Sequence, residues 1–377
     1  MATSSGGHRL PPPLALALLV AAGVVALQAL LVPLFAGPAT SLAPRDLPVV
    51  VAGPPPATAE FAAQLNQAQP GSFAVTQLPD AAAADAALRD RTAYAAFVLE
   101  AGGVGLHVAS AASPPLAALL NQAATDFGGQ LVAVTDVVPS HSGDPRGAGF
   151  ASAFLPLVMT SLIAGALVVA LVPGWRPRLL ALAAYAVLAG LVGALVQTYW
   201  LDILPAAGYL PAAAAIALMA LAAAGGVAGL GAALGGPGIG LGAVLVFLVG
   251  NPLSGVNAVP ELLPQPWGQV GQWLPPGAGT TALRSAVYFD WAGSTAALLV
   301  LIGWAVVGAL LVMVGRARLA GTPSSGAAAA APAAGGDTAA VSGADPAAPA
   351  ADGTALAAGG TDTEGAVRRA ASGGGAG

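Results

Sequence analysis

Charged residues are scarce in this chain, so those set among apolar neighbours stand out. The stretch PELLPQPWGQVGQWLPPGAGTTALRSAVYF, residues 260–289, holds one glutamate, Glu261, and one arginine, Arg284. It also holds five prolines, four glycines and two tryptophans, Trp267 and Trp273. Asn251 and Asn257 lie just upstream. Charges in or near lipid are costly and often functional. A lone carboxylate, a guanidinium and carboxamides suit polar recognition along a solute path, not bond breaking. Each proline removes a backbone donor and disfavours helix before it. One straight helix over 260–279 is therefore not expected. The tryptophan rings suit a membrane–water interface, where the ring stays apolar and its N–H reaches water. Residues 251–292 read as a re-entrant or interfacial hairpin, a candidate outer gate with Glu261 and Arg284 near its polar lining. TTALRSAVYF reads as a short helix capped by Thr280 or Thr281. The alternative is an interfacial anchor whose two charges simply face water.

Other chemistries lack their residues. There is no cysteine, which excludes disulfides and thiolate metal sites. There is no lysine, so a standard P-loop, whose lysine reaches the phosphates, is missing. His8, His107 and His141 have no metal-ligand spacing. Ser140, His141 and Asp144 are too close in sequence for a catalytic triad and read as linker. Arg89, Asp90 and Arg91 read as a solvated helix end. Polar groups within apolar runs, such as Gln28 and Gln197, can be satisfied by neighbouring helices. No catalytic residue, metal or cofactor is expected, and the chain does not read as an enzyme.

The 377 residues are 56% hydrophobic and only 8% charged, against about 25% in soluble domains. Too little polar surface exists to cover a globule, so lipid is the expected solvent and the bilayer a partner. The net charge of −5, without basic clusters, argues against nucleic acid. A bilayer core needs about 20 apolar residues in helix. Six segments qualify: Leu14 to Ala36, Phe150 to Val172, Leu179 to Trp200, Tyr209 to Leu234, Ile239 to Val259 and Thr295 to Val314. Asn251 and Pro252 interrupt the fifth. The first could instead be a signal peptide, although its run is long for one. Arg9, Arg176, Arg178, Arg316 and Arg318 fall on one side of a six-span topology with both termini cytoplasmic. Arg146 and Arg284 fall on the other side. Gly225 with Gly229, and Gly231 with Gly235, have GxxxG spacing, which serves either packing within the chain or a homodimer face.

Between the first two spans, residues 47–138 change character. LPVVVAG, SFAVTQL, AYAAFVLE, GVGLHVAS and LVAVTDVV read as strands. ATAEFAAQLNQ, DAAAADAALRDR and SPPLAALLNQAATDFG read as helices, with Asp80 and Ser113 as caps. The order β-α-β-α-β-β-α-β describes a small α/β domain. Residues 319–377 are almost wholly Ala, Gly, Ser, Thr, Pro and Asp and read as a disordered cytoplasmic tail.

The expected molecule is a polytopic α-helical membrane protein: six transmembrane helices with a small extracytoplasmic α/β domain between helices 1 and 2. Its parts are a cytoplasmic N-terminus (1–13), the first helix (14–36) and the α/β domain (37–148). A five-helix domain with the outer segment 251–292 (149–318) and the tail (319–377) follow. The Ala, Gly, Pro and Arg bias suggests a GC-rich bacterial genome, hence a bacterial plasma membrane. This layout resembles the ABC-2-type membrane proteins, including exporter permeases and the YhgE/Pip-like branch. LPVVVAG…FAAQLNQ…FAVTQLPDAAAADAALRDRTAYAAFVLEAGG looks like that family's outer domain. NPLSGVNAVPELLPQPWGQVGQWLPPGAGTTALRSAVYF looks like its segment before the last span. The resemblance, over residues 14–318, implies export of an unknown substrate with a separate cytoplasmic ATPase. Partner contact would fall at Arg176 and Arg178 in the short loop PGWRPR. The alternative within the resemblance is a non-transporting scaffold or surface receptor of the YhgE/Pip-like kind.

Overall fold

A computed structural model describes residues 13–126 and 133–319. Arg9, His8 and the tail from residue 320, with Arg368 and Arg369, lie outside the described residues, as do the side chains of Arg316 and Arg318.

The first helix, α1 (Pro13–Thr40), is apolar on all sides and buries no residue of its most apolar stretch. Its visible ring contact is Phe35 with Phe247, at 6.4 Å between centroids. A helix this apolar has no polar face to turn to water. Five helices are long and apolar enough to cross a membrane: α1, α5 (Ala148–Leu171), α6 (Trp175–Leu195, continued by a π-turn to Trp200), α7 (Tyr209–Leu234) and α11 (Thr295–Leu319). The protein is thus a helical membrane protein.

The α/β domain matches its expected element order. It comprises β1 (Leu47–Ala52), α2 (Pro55–Ala68), β2 (Phe73–Leu78), α3 (Ala81–Arg89), β3 (Ala95–Glu100), β4 (Gly103–Val108), α4 (Pro114–Asp126) and β5 (Val134–Asp136). The sheet order is β2-β1-β3-β4-β5, parallel except for the β3–β4 hairpin. β1 is covered on both faces, which is why it reads as a continuous apolar run. Asp80 Oδ1 accepts from the Ala83 N–H at 2.8 Å and caps α3. Ser113 Oγ accepts from the Leu116 N–H at 3.4 Å at the start of α4.

The bundle is organised around α7, which packs against α5, α6 and α11. Small residues make this possible. A Cβ on Gly165 of α5 would meet the Ala224 carbonyl at 2.4 Å, and one on Gly190 of α6 the Ala213 carbonyl at 2.3 Å. On Gly308 and Gly315 of α11 it would meet the carbonyls of Gly225 and Ala232, at 2.4 and 2.3 Å. The small residues of α7 therefore serve packing within the chain, where backbones touch.

The fifth expected segment differs. It is a short helix, α8 (Gly236–Ala243), continued by a π-turn to Val249. Fourteen residues rise only about 21 Å, short of a bilayer core of about 30 Å. The chain then leaves through turns at 250–259, forms α9 (Trp267–Gln272) and turns into α10 (Pro275–Tyr288). α8 and α10 lie along successive stretches of α7, both antiparallel to it. Gly238 and Gly242 approach Leu230 and Val227, whereas Gly279 and Gly208 mark the approaches of α10 to Met219 and of Val287 to the Tyr209 end. Gly250 lies against Pro276, which joins the end of one short helix to the start of the other. Together they make one interrupted helix, with residues 251–274 excursing from the break. α10 is longer than expected. It begins at the two prolines, which suit a first turn whose N–H groups are unpaired. Thr280 is no cap: its Oγ1 donates to the Pro276 carbonyl at 2.9 Å within the helix.

Candidate functional site

The excursion 251–274 meets the α/β domain. Ala258, Val259 and Leu262 join Leu47, Val49, Leu106 and Leu116 in one apolar cluster. On the opposite face of the sheet, Phe289 packs with Val50, Leu88 and Val98. The segment after α1 joins in through its backbone: Ala43 N–H donates to Leu262 O at 3.2 Å and Arg45 N–H to Glu261 O at 3.0 Å. Domain and bundle thus share apolar clusters through the excursion on one face of the sheet and through Phe289, at the end of α10, on the other.

Polar groups line an open cavity of about 430 Å³ at this seam. Arg91 and Tyr94 come from the domain; Glu261, Gln269, Gln272 and Trp273 come from the excursion. The Tyr94 hydroxyl donates to Glu261 Oε2 at 3.0 Å. Arg91 Nη1 donates to Thr281 O at 3.2 Å and to Ser285 Oγ at 2.5 Å, both on α10. The Arg91 guanidinium also sits 5.2 Å from the Phe289 ring centroid. Burial pushes the Tyr94 hydroxyl above the usual tyrosine range, and the charge of Glu261 adds to the shift. Burial lowers the Arg91 pKa, with Tyr94 and Glu261 opposing. Among the described residues no ion pair joins Arg91 to Glu261.

Arg284 stands apart from this cavity. It is 5% exposed and spends its guanidinium on the 255–258 turn. Nη1 donates to Gly255 O at 3.3 Å and Ala258 O at 3.2 Å, Nη2 to Val256 O at 2.7 Å, and the group lies 4.9 Å from the Phe150 ring centroid. A guanidinium can satisfy several carbonyls at once because its donors are fixed in a planar fork. Arg284 therefore shapes the excursion, while Glu261 and Trp273 face the cavity. Trp267 is 53% exposed on α9, and Trp273 is 75% exposed at the rim, its carbonyl accepting from Trp304 Nε1 at 2.9 Å. Asn251 is partly buried at the break and Asn257 is exposed; neither lines the cavity.

At the α5–α6 turn, Arg178 Nε and Nη2 donate to Val172 O and Val169 O, each at 2.8 Å, closing the end of α5. Arg176 is exposed and stacks 5.2 Å from the Trp175 ring centroid. The side chains of Ser140, His141 and Asp144 do not hydrogen-bond to one another. Ser140 Oγ donates to Pro145 O, His141 pairs with Asp202 at 2.9 Å, and Asp144 accepts from the Gly149 and Phe150 N–H groups at the start of α5. Among the described residues no cluster of His, Asp and Glu could hold a metal ion.

Two site residues escape sequence reasoning. The solvated helix end holds for Arg89, which is exposed and faces the partly buried Asp85 at 3.9 Å, but not for Arg91. Arg91 reaches a partner 194 positions away, and Tyr94 one 167 positions away. Comparison with protein-family models, curated proteins and solved structures finds no match.

Proposed function

We propose that this chain is the permease-like subunit of an ABC-2-type exporter, moving an amphipathic solute outward with a separate cytoplasmic ATPase. In this reading the chain crosses a bacterial plasma membrane six times. α8 and α10 serve as two halves of the fifth crossing, the α/β domain lies outside, and both termini lie inside. One observation carries the reading: the interrupted α8–α10 helix, with a polar cleft of about 430 Å³ between the α/β domain and the excursion that leaves its break. Irregular backbone at membrane depth is tolerated only where it is buried in protein or lines a wet path. Discontinuous helices are also the usual frame of transporter solute sites. The excursion 251–274 would act as the outer gate, held to the domain by Tyr94 and to α10 by Arg284.

A second reading, a non-transporting scaffold or surface receptor of the YhgE/Pip-like kind, is favoured by one observation. Arg178 is spent on the carbonyls of α5, which leaves Arg176 as the free basic group of that turn for an ATPase. A mild-detergent pull-down of the tagged protein from its native membrane separates the two. A stoichiometric P-loop ATPase, lost when the 174–178 turn is disrupted, is the expected result. An outer-face partner with no ATPase overturns the export reading and leaves the scaffold.

A further inference from the structure

The cavity walls carry opposite charges that are not in contact with each other. Arg91 stands on the domain side and Glu261 on the excursion side, and no ion pair joins them. The Tyr94 hydroxyl responds to both and donates to Glu261 Oε2, while Oε1 accepts no hydrogen bond among the described residues. Gln269 and Gln272 add neutral amides. A simple cation entering here would face Arg91, and a simple anion would face Glu261. Either would bring a like charge against one wall, which is unfavourable. A ligand with its own separated positive and negative groups satisfies both walls. The cavity, about 430 Å³, lies in the range of small-ligand pockets. Its rim is Trp273, followed along α9 by the exposed Val270 and Trp267. Such rings suit the headgroup level of a membrane, and an indole face also attracts an ammonium group.

We propose that this cavity binds a zwitterionic phosphate–ammonium group, the phosphate toward Arg91 and the ammonium between Glu261 and Trp273. Any apolar tail leaves past Trp273 and Val270. As the outer site of an exported amphiphile, the assignment rests on the export reading. Binding alone, however, needs neither ATP nor an ATPase, so the two can fail separately.

The test uses the full chain in a neutral maltoside detergent without nucleotide, followed by calorimetry and tryptophan fluorescence. The probes are dihexanoyl phosphatidylethanolamine, dihexanoyl phosphatidylglycerol and O-phosphoethanolamine. The ethanolamine lipid should bind at least tenfold more tightly than the glycerol lipid. Glu261→Gln, which keeps the shape of the side chain, should erase that preference by weakening the ethanolamine lipid alone. Arg91→Gln should weaken both lipids, but Arg91 also ties the domain to α10, so the glutamate variant decides. Equal affinity for O-phosphoethanolamine and the ethanolamine lipid upholds the zwitterion site and assigns it to a soluble ligand; preference for the lipid assigns it to an amphiphile. Equal binding of the two lipid heads, or an unchanged preference in Glu261→Gln, overturns the proposal.

Discussion

At the scale of residues, the two arginines of the seam do different work. Arg284 holds three carbonyls of one turn, so its loss strands buried acceptors that cost about 1–3 kcal/mol each when unpaired. Arg284→Ala is expected to lower the melting temperature in detergent by several degrees. Arg284→Lys should recover only part of it, because an ammonium lacks the planar fork. Full recovery by lysine would show that charge alone matters there. Tyr94 offers a pH signature. Its folded-state pKa is raised, so its contribution to stability is complete below the usual tyrosine value of about 10 and is lost as pH rises above it. Stability measured from pH 9 to 11 should fall with a slope that Tyr94→Phe reduces, at a cost of about 1 kcal/mol at neutral pH. An identical slope in both proteins would place the hydroxyl in water. Glu261 was legible as a site residue because a carboxylate is conspicuous among apolar neighbours. Arg91 was not, because an arginine after an alanine-rich helix looks like any solvated helix end until a fold brings Ser285 against it.

At the scale of elements, the glycines of α7 and α11 separate packing from composition. A Cβ on Gly308 would meet the Gly225 carbonyl at 2.4 Å, whereas one on Gly225 finds nothing within 4 Å. Gly308→Ala should therefore force the helices apart and cost about 1–3 kcal/mol, the usual range for overpacking. Gly225→Ala should be neutral or slightly stabilising, since alanine is the better helix former. Comparing the two melting temperatures checks the approach of α11 to α7, and equal effects would contradict it. The same logic shows what the sequence could reveal. The sheet was legible strand by strand, because short apolar runs bounded by Gly, Pro and Asp leave few other structures open. GxxxG spacing alone could not choose between a partner chain and the chain itself; only the neighbours of each glycine do. The run Ile239 to Val259 read as one span because hydrophobicity measures the solvent of a segment, not its continuity. Its break falls just before Asn251 and Pro252, and only the fold shows that Gly250 there meets Pro276, 26 positions on, at the start of α10.

For the whole molecule, the interrupted helix makes the number of crossings an experimental question with a sharp answer. The chain contains no cysteine, so a single introduced thiol reports its own side of the membrane. Gly102→Cys sits at the β3–β4 turn with open space around it, and Arg176→Cys is exposed at the α5–α6 turn. Gly236→Cys starts α8, and Gln269→Cys lies in the excursion, also exposed. With a membrane-impermeant maleimide on intact cells, positions 102 and 269 should label at once. Positions 176 and 236 should label only after permeabilisation. The pair 236 and 269 decides the fold's central feature. Opposite labelling means that the chain crosses between them, through α8 and the residues that leave its break. Same-side labelling means that α8 enters and returns, which leaves five crossings and puts the excursion, with its cavity, on the face that carries Arg176. In that case the domain could not meet the excursion as it does, because Tyr94 and Glu261 lie 3.0 Å apart and must share one side.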